Sequence, residues 1–260
     1  MSLRMPRRPL GDTGIEVSVL GLGTVKFGRT QGLKYPQPFT IPDNAQAARL
    51  LATARDLGIN LLDTAPAYGN AELRLGALLR GQRQDWVIVT KTGERFEQGV
   101  SRFDFSPEHT RASVMRSLGR LDTDWLDCVL VHSDGDDLGI LRAQGTLEVL
   151  QDLKAEGVIR AFGISTKTLA GGLAALAHCD VVMVTLNMDE TEDLPVVTAA
   201  HRRGRGVLVK KALGSGHLAA TAATQLRWVT SRPGVSAAVV GSIDAAHLRD
   251  DAEAVAVGRL

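Results

Sequence analysis

The sequence predicts a single (β/α)8 barrel, and three observations support this fold class. Eight short runs rich in Val, Ile and Leu alternate with eight amphipathic stretches of helical period. The 260 residues match the size typical of such a barrel. The connections that follow the apolar runs are longer than those that precede them. We therefore expect one domain over residues 1–260, with an open doubly wound sheet or two small domains as the alternatives.

The predicted strands are nearly continuous in apolar residues, which is typical of parallel strands buried on both faces. They are Val19–Gly23, Asn60–Thr64, Trp86–Lys91, Leu126–His132, Ile159–Ile164, Val181–Asn187, Gly206–Lys211 and Ala237–Gly241. Before them, the segment Arg8–Gly21 places a Gly-Asp-Thr-Gly turn between two strand-like stretches. This pattern indicates a β-hairpin, which we expect to plug the N-terminal end of the barrel.

The predicted helices have recognisable ends. Asn44–Leu57 follows Asp43 as N-cap and ends at Gly58, and Pro107–Leu121 follows Ser106 with proline at the first helical position. The others are Ala71–Leu79, Leu147–Glu156, Leu169–Ala177, Pro195–Arg203, Ala219–Thr230 and Ala245–Val257.

The composition excludes several classes of function. Lys plus Arg total 30 against 29 for Asp plus Glu, so the net charge of +1 indicates no nucleic-acid or membrane partner. No apolar stretch is long enough to span a membrane, and Met1–Leu10 does not resemble a secretory signal. Cys128 and Cys179 lie in apolar runs, so we expect buried free thiols and a cytoplasmic location. No histidine pair has metal-ligand spacing, and no metal is expected. The sequence does not indicate an oligomeric state.

Two connections are unusually long. Thr24–Pro42 follows the first predicted strand and Thr92–Ser106 follows the third, whereas Gly58-Ile59 and Gly157-Val158 leave only short links after helices. Active sites of such barrels lie where strands lead into helices. We therefore expect a functional site at this end, with tolerated loop insertions as the alternative.

Four polar residues lie at this end of the barrel. Asp63, Lys91 and His132 each close an apolar strand, and Tyr68 follows Asp63 by five positions. Burying Asp63 or Lys91 unpaired would be costly, so we expect them to pair. Each residue alone has a structural explanation, as a cap, a loop-packing ring, a strand-end lysine or a core histidine. Their joint placement favours a site.

These residues lie within motifs that resemble the aldo-keto reductase family. Gly58–Gly76 contains Asp-Thr-Ala, Tyr-Gly and Glu-x-x-x-Gly, as the family signature does. Further resembling segments occur in family order over nearly the whole chain. They are Leu10-Gly11, Leu20–Thr24, Val89–Lys91, Asp124–His132 and Gly163–Ser165.

The resemblance implies hydride transfer between a nicotinamide and a small aldehyde or ketone. Tyr68 would act as the general acid, and Lys91 would lower its pKa from the ordinary value of about 10. Asp63 would hold Lys91. His132 would donate a hydrogen bond to the carbonyl oxygen, from a ring nitrogen that the sequence does not identify.

The resemblance also implies a dinucleotide site. No Gly-x-Gly-x-x-Gly motif is present, so the phosphates would bind at the loops after the seventh and eighth strands. NADP(H) is the favoured cofactor, and NAD(H) is the alternative because no Arg occupies the expected 2′-phosphate position. The predicted cofactor residues are Gly23, Thr24, Asp63, Ser165, Lys210, Lys211, Leu213, Ser215, Gly241, Ser242, His247 and Asp251.

Three departures from the family pattern lie near the expected nicotinamide position. Thr166 replaces an Asn, Met183 a Gln and Lys210 a Tyr. They motivate a rival function, a nucleotide-binding barrel with little or no turnover that acts as a sensor or interaction module. A third hypothesis is that the barrel catalyses an unrelated reaction in which Lys91 forms a Schiff base.

Overall fold

The computed structural model describes residues 5–143 and 145–256. Its strands are β1 (Arg7–Pro9), β2 (Glu16–Ser18), β3 (Leu20–Gly23), β4 (Leu61–Asp63), β5 (Val87–Thr92), β6 (Glu94–Glu97), β7 (Val100–Phe103), β8 (Leu126–His132), β9 (Ile159–Ser165), β10 (Val181–Thr185), β11 (Gly206–Lys210) and β12 (Ala237–Val240). Eight of them, β3, β4, β5, β8, β9, β10, β11 and β12, form a closed parallel barrel in chain order. The predicted fold class is confirmed.

The helices lie outside the barrel. They are α1 (Asn44–Asp56), α2 (Ala71–Leu78), α3 (Pro107–Leu121), α4 (Asp137–Ala143), α5 (Gly145–Ala155), α6 (Leu169–Ala175), α7 (Leu194–Arg202), α8 (Ala222–Thr230) and α9 (Ala245–Ala256). The predicted helices occur with shifts of one or two residues at most ends, and Val257 lies outside the described residues. The predicted start at Ala219 is instead a short 3-10 turn, Ala219–Thr221, that precedes α8. Helix α4 was not predicted, because seven residues are too few to show an amphipathic period.

Side-chain hydrogen bonds explain where helices begin and one strand ends. The Asp43 carboxylate accepts from the Gln46 N–H in a reciprocal capping box, and the Ser106 hydroxyl accepts from the His109 N–H. The predicted strand Val181–Asn187 stops at Thr185. Beyond it, the Asn187 side chain accepts the N–H groups of residues 189 and 190 and turns the chain.

The N-terminal hairpin closes one end of the barrel. Strands β1 and β2 are antiparallel, and Leu10, Ile15 and Val17 near the turn are fully buried. These three side chains pack against the barrel interior in one apolar cluster. Gly11 has φ +59°, and a Cβ there would lie 2.3 Å from the Gly206 backbone nitrogen. The predicted plug is confirmed.

The connection Thr92–Ser106 contains secondary structure that the sequence analysis missed. Strands β6 and β7 pair antiparallel within it, from Glu94 opposite Phe103 to Glu97 opposite Val100. A hairpin in this position holds its residues in fixed register. It can therefore place a side chain against the barrel mouth as firmly as a strand end does.

Cys128 and Cys179 are buried and not disulfide-bonded, as predicted. His109 is buried on α3, whereas His178 and His201 are exposed. Within the described ranges, none of the helices combines the length and apolar character that crossing a membrane requires.

Candidate active site

Asp63 and Lys91 form a buried ion pair at the ends of β4 and β5. Lys91 Nζ lies 2.6 Å from Asp63 Oδ1 and donates a second hydrogen bond to the Thr64 carbonyl at 2.9 Å. Burial acts to lower the pKa of Lys91, but Asp63 and Tyr68 raise it to about 12. Lys91 is therefore an ammonium at neutral pH, paired as the sequence predicts.

Tyr68 lies in the connection after β4, beside Lys91 and His132. Lys91 Nζ is 4.9 Å from the centroid of the Tyr68 ring, and the His132 ring centroid is 6.3 Å away with the ring planes at 85°. Burial raises the pKa of Tyr68 to about 12, although the Lys91 charge acts to lower it. The expected net lowering was wrong, because desolvation of the phenolate outweighs the nearby ammonium. Tyr68 is therefore protonated at neutral pH and able to donate a proton.

His132 ends β8 and contacts a carboxylate that the sequence analysis did not single out. Its Nδ1 lies 2.7 Å from Glu94 Oε2, at the start of β6. The Nδ1–H direction is not aligned with that oxygen, so the contact is electrostatic rather than a straight hydrogen bond. Burial lowers the pKa of His132 below its ordinary value, and Glu94 opposes that shift.

Glu94 is itself held from two sides. The Ser101 hydroxyl on β7 donates to Glu94 Oε1 at 2.5 Å, and Arg29 Nη1 lies 3.6 Å from the same oxygen. Burial acts to raise the pKa of Glu94, but His132, Ser101 and Arg29 hold it at about 2. Arg29 belongs to the connection after β3, and its guanidinium lies 3.3 Å from the Phe96 ring centroid. Both long connections therefore meet at this carboxylate.

Lys210 reaches across the mouth from the end of β11. Its Nζ donates to Ser165 Oγ at 2.8 Å and to the Thr166 carbonyl at 2.6 Å. Burial lowers the pKa of Lys210 to about 7, and the charges of Lys211 and Lys91 act in the same direction. Lys210 thus joins the ends of the fifth and seventh barrel strands near Lys91.

The remaining predicted cofactor residues occupy different environments. Gly23 ends β3, and the Thr24 N–H and hydroxyl both donate to the Asp63 carbonyl. Lys211 and His247 are exposed, whereas Asp251 is buried on α9. Leu213, Ser215, Gly241 and Ser242 lie in the connections after β11 and β12.

The connection after β3 spans from the barrel to those two cofactor loops. A Cβ on Gly241 would lie 2.6 Å from the Tyr35 hydroxyl, and one on Gly216 would lie 3.3 Å from Pro36. His217 Nε2 lies 3.0 Å from the Lys34 carbonyl oxygen. Glycine at position 241 therefore leaves room for Tyr35 against the loop after the eighth barrel strand.

The aromatic side chains of the two long connections mostly anchor their loops. Phe27 is fully buried in the core, Phe96 lies under Arg29, and Phe105 packs against the core. Tyr35 and Phe39 contact each other edge to face, with Lys26 Nζ 4.0 Å from the Tyr35 ring centroid.

Comparisons with known proteins agree with this geometry. The aldo/keto reductase family model matches residues 19–225. The chain belongs to the aldo/keto reductase family.

Individual relatives extend this assignment. A solved structure from Pseudomonas aeruginosa, which carries a provisional aldo-keto reductase name, is 52% identical with a TM-score of 0.91 and covers 99% of this chain and 96% of that chain. L-galactose dehydrogenase of Arabidopsis thaliana is 37% identical over 61% of this chain and 47% of its own. NADH-specific methylglyoxal reductase of Escherichia coli is 35% identical over 61% of this chain and 51% of its own. The matches thus span about half the length of these curated relatives.

The connection after β12 has backbone donors that could hold a phosphate of the expected dinucleotide. In the described part of the chain, the backbone N–H groups of Ser242 and Ile243 donate to no protein acceptor. Asp244 caps α9 by accepting from the N–H groups of Ala246 and His247, and the Ser242 and Ile243 N–H groups are among the donors left for an anion. Consecutive free N–H groups before a helix are a suitable phosphate site.

Sequence reasoning missed Glu94, Arg29 and the contact of Tyr35 with the loop after the eighth barrel strand. Glu94 had one signal, a carboxylate three positions after Lys91 in a connection already marked as functional. Arg29 and Tyr35 had none beyond membership of a long loop, because their partners lie more than 60 residues away in sequence or in other loops.

Proposed function

We propose that this protein reduces a small aldehyde or ketone with NAD(P)H. The observation that carries the proposal is the convergence of Asp63, Lys91, Tyr68 and His132 at the C-terminal mouth of the barrel. Family membership supports the same reaction class. The relatives named for reductase and dehydrogenase activity act on small polar molecules, as their names state.

Each of the four side chains has its own role in carbonyl reduction. A bound reduced nicotinamide supplies the hydride that forms the new C–H bond. Tyr68 gives its hydroxyl proton to the carbonyl oxygen, so the product is an alcohol and Tyr68 is left as a phenolate. Lys91 stabilises that phenolate by its charge, and Asp63 keeps Lys91 in place. His132 orients the carbonyl oxygen.

The cofactor is NADP(H) in this proposal, with NAD(H) as the alternative. Lys210 directs two hydrogen bonds to Ser165 and Thr166, and the exposed Lys211 and His247 are the candidates for the 2′-phosphate. The name of the Escherichia coli relative shows that NADH use occurs among similar proteins.

A second candidate function is a nucleotide-binding barrel with little or no turnover. Lys210 favours it, because an amine in the mouth replaces the aromatic ring of the family pattern. Nucleotide binding without oxidation across a broad carbonyl panel would support this function instead.

The deciding experiment follows NADPH and NADH oxidation with a panel of aldehydes and ketones, comparing wild type with Tyr68→Phe. We expect turnover that falls by about 10²–10⁴-fold in the variant, because the proton donor is removed. Nucleotide affinity, measured by fluorescence titration, serves as the control and should be retained. Equal turnover by both proteins would remove Tyr68 from the mechanism.

A further inference from the structure

We propose that Glu94 is a positioning residue for His132 and keeps a proton on Nδ1 of the ring. Nε2 can then donate to the substrate oxygen only when His132 is an imidazolium. The inference rests on the proposed reductase function and adds a residue to it. It also identifies the ring nitrogen that the sequence left open.

The Glu94 and His132 side chains are in close contact. Glu94 Oε2 lies 2.7 Å from His132 Nδ1. A proton on Nδ1 favours this approach, because the positive charge of a protonated nitrogen attracts the carboxylate. The imperfect alignment of the N–H weakens the hydrogen bond but leaves the charge attraction. Nε2 is then the nitrogen available to the substrate.

Glu94 cannot supply the Nδ1 proton itself. Its side chain is buried, and Ser101 and Arg29 contact its other oxygen. Although burial alone would raise it, the pKa of Glu94 is held at about 2. Glu94 is therefore a carboxylate at neutral pH, and it acts only as an acceptor.

The protonation states of His132 follow from its contact with Glu94 and from the negative charge of that carboxylate. Neutral His132 carries its one proton on Nδ1, so Nε2 has a lone pair and cannot donate to a carbonyl. Donation from Nε2 requires a second proton. Burial lowers the pKa of His132. Of the charged groups that face the ring, Lys91 and Lys210 also lower this pKa, and Glu94 raises it. Tyr68 contacts the ring edge to face.

The pH dependence has a definite sign. As pH rises through the pKa of His132, the imidazolium is lost and carbonyl reduction loses its second donor. In Glu94→Gln, the side-chain amide can donate to Nδ1, which allows a neutral ring with the proton on Nε2. This isosteric variant should therefore reduce substrate without the same dependence on acid.

The test is nitrogen-15 NMR of histidine-labelled protein without cofactor, which reads the tautomer directly. His132→Asn assigns the signal. We expect the neutral ring to be protonated at Nδ1 in wild type and at Nε2 in Glu94→Gln. The matched control is Glu72→Gln, since Glu72 is also buried and bound by a hydroxyl and an arginine, Thr90 and Arg120, and should leave the His132 signals unchanged.

A kinetic readout accompanies the spectrum. In wild type, kcat/KM for reduction should fall about tenfold per pH unit above the His132 pKa, as one required proton is lost. Glu94→Gln should lack that fall. An Nε2–H tautomer in wild type overturns the proposal even if the variant does not fold, and so does an unchanged tautomer in a folded variant. Absence of turnover in every protein would instead count against the reductase function, because the NMR result does not depend on catalysis.

Discussion

At the scale of single residues, Lys210 shows how strongly burial alters an ordinary side chain. It was predicted as a cofactor contact, yet both of its described hydrogen bonds go to groups at the end of β9. Its pKa falls from the ordinary 10.5 to about 7, chiefly through burial and further through Lys211 and Lys91, against the opposing charges of Asp137 and Asp193. Folding therefore releases a proton from Lys210 at mildly alkaline pH.

This release predicts a pH-dependent stability. Between pH 7 and 10.5 the unfolded chain keeps the Lys210 proton and the native protein does not, so this residue makes stability rise with pH. Lys210→Met removes the effect. The stability of the variant relative to wild type, from urea unfolding, should be highest at pH 7 and decline towards pH 10.5. Lys211→Met, at an exposed position, is the control. A difference that does not change with pH would contradict the assignment.

At the scale of elements, the connection after β3 is held at both ends by one arginine. Arg74 on α2 donates to the Phe27 carbonyl near the start of the connection and to the Pro42 carbonyl at its end, at 2.6 Å for the latter. A third bond goes to Asn44 Oδ1 at the start of α1. The tip of the same connection carries Tyr35 to Gly241. Arg74 therefore fixes a loop that lies against the expected phosphate site.

Removing this clamp should loosen the loop and weaken nucleotide binding. Hydrogen bonds from charged groups contribute about 1.5–3 kcal/mol each, so in Arg74→Ala we expect amide exchange in residues 29–41 to accelerate at least roughly tenfold. Hydrogen exchange followed by mass spectrometry measures this, together with a nucleotide titration. Arg80→Ala, which removes an exposed ion pair with Asp122, should change neither. Unchanged loop exchange in Arg74→Ala would show that other contacts hold the loop.

At the scale of the whole molecule, the two ends of the barrel have different tasks. The N-terminal end is filled by apolar side chains from the hairpin, and the C-terminal end holds the buried Asp63–Lys91 ion pair. This division is typical of (β/α)8 barrels, where the ends of strands that face the βα connections carry function. Stability and activity should therefore be separable by mutation.

Leu10→Ala tests that separation. Leu10 is fully buried in the plug, so its truncation should reduce the free energy of unfolding by about 2–5 kcal/mol. The kcat and KM of the folded enzyme should stay at wild-type values, because the site lies at the opposite end. Val100→Ala, at a largely exposed apolar position, should cost little stability. Loss of activity in stably folded Leu10→Ala would show that the two ends are coupled.

The sequence by itself determined the barrel and the four residues at its mouth. Continuous apolar runs set the strands, caps such as Asp43 set the helix starts, and a polar residue that closes a buried strand must lie at the strand's end. Asp63, Lys91 and His132 are therefore placed by local pattern alone. Their convergence follows once the strands are parallel neighbours.

Only the tertiary structure decided how those residues are charged and held. The contact of Glu94 with His132 depends on the β6–β7 hairpin. Because its strands are short and mostly polar, no apolar periodicity in the sequence predicts this hairpin. Arg29 reaches Glu94 from a connection more than 60 positions earlier in the chain. The pKa values of Tyr68 and Lys210 depend on how completely neighbouring elements exclude water, which no single segment encodes. Local pattern fixes positions along strands, whereas distances between loops and the loss of solvent arise only when all the elements pack together.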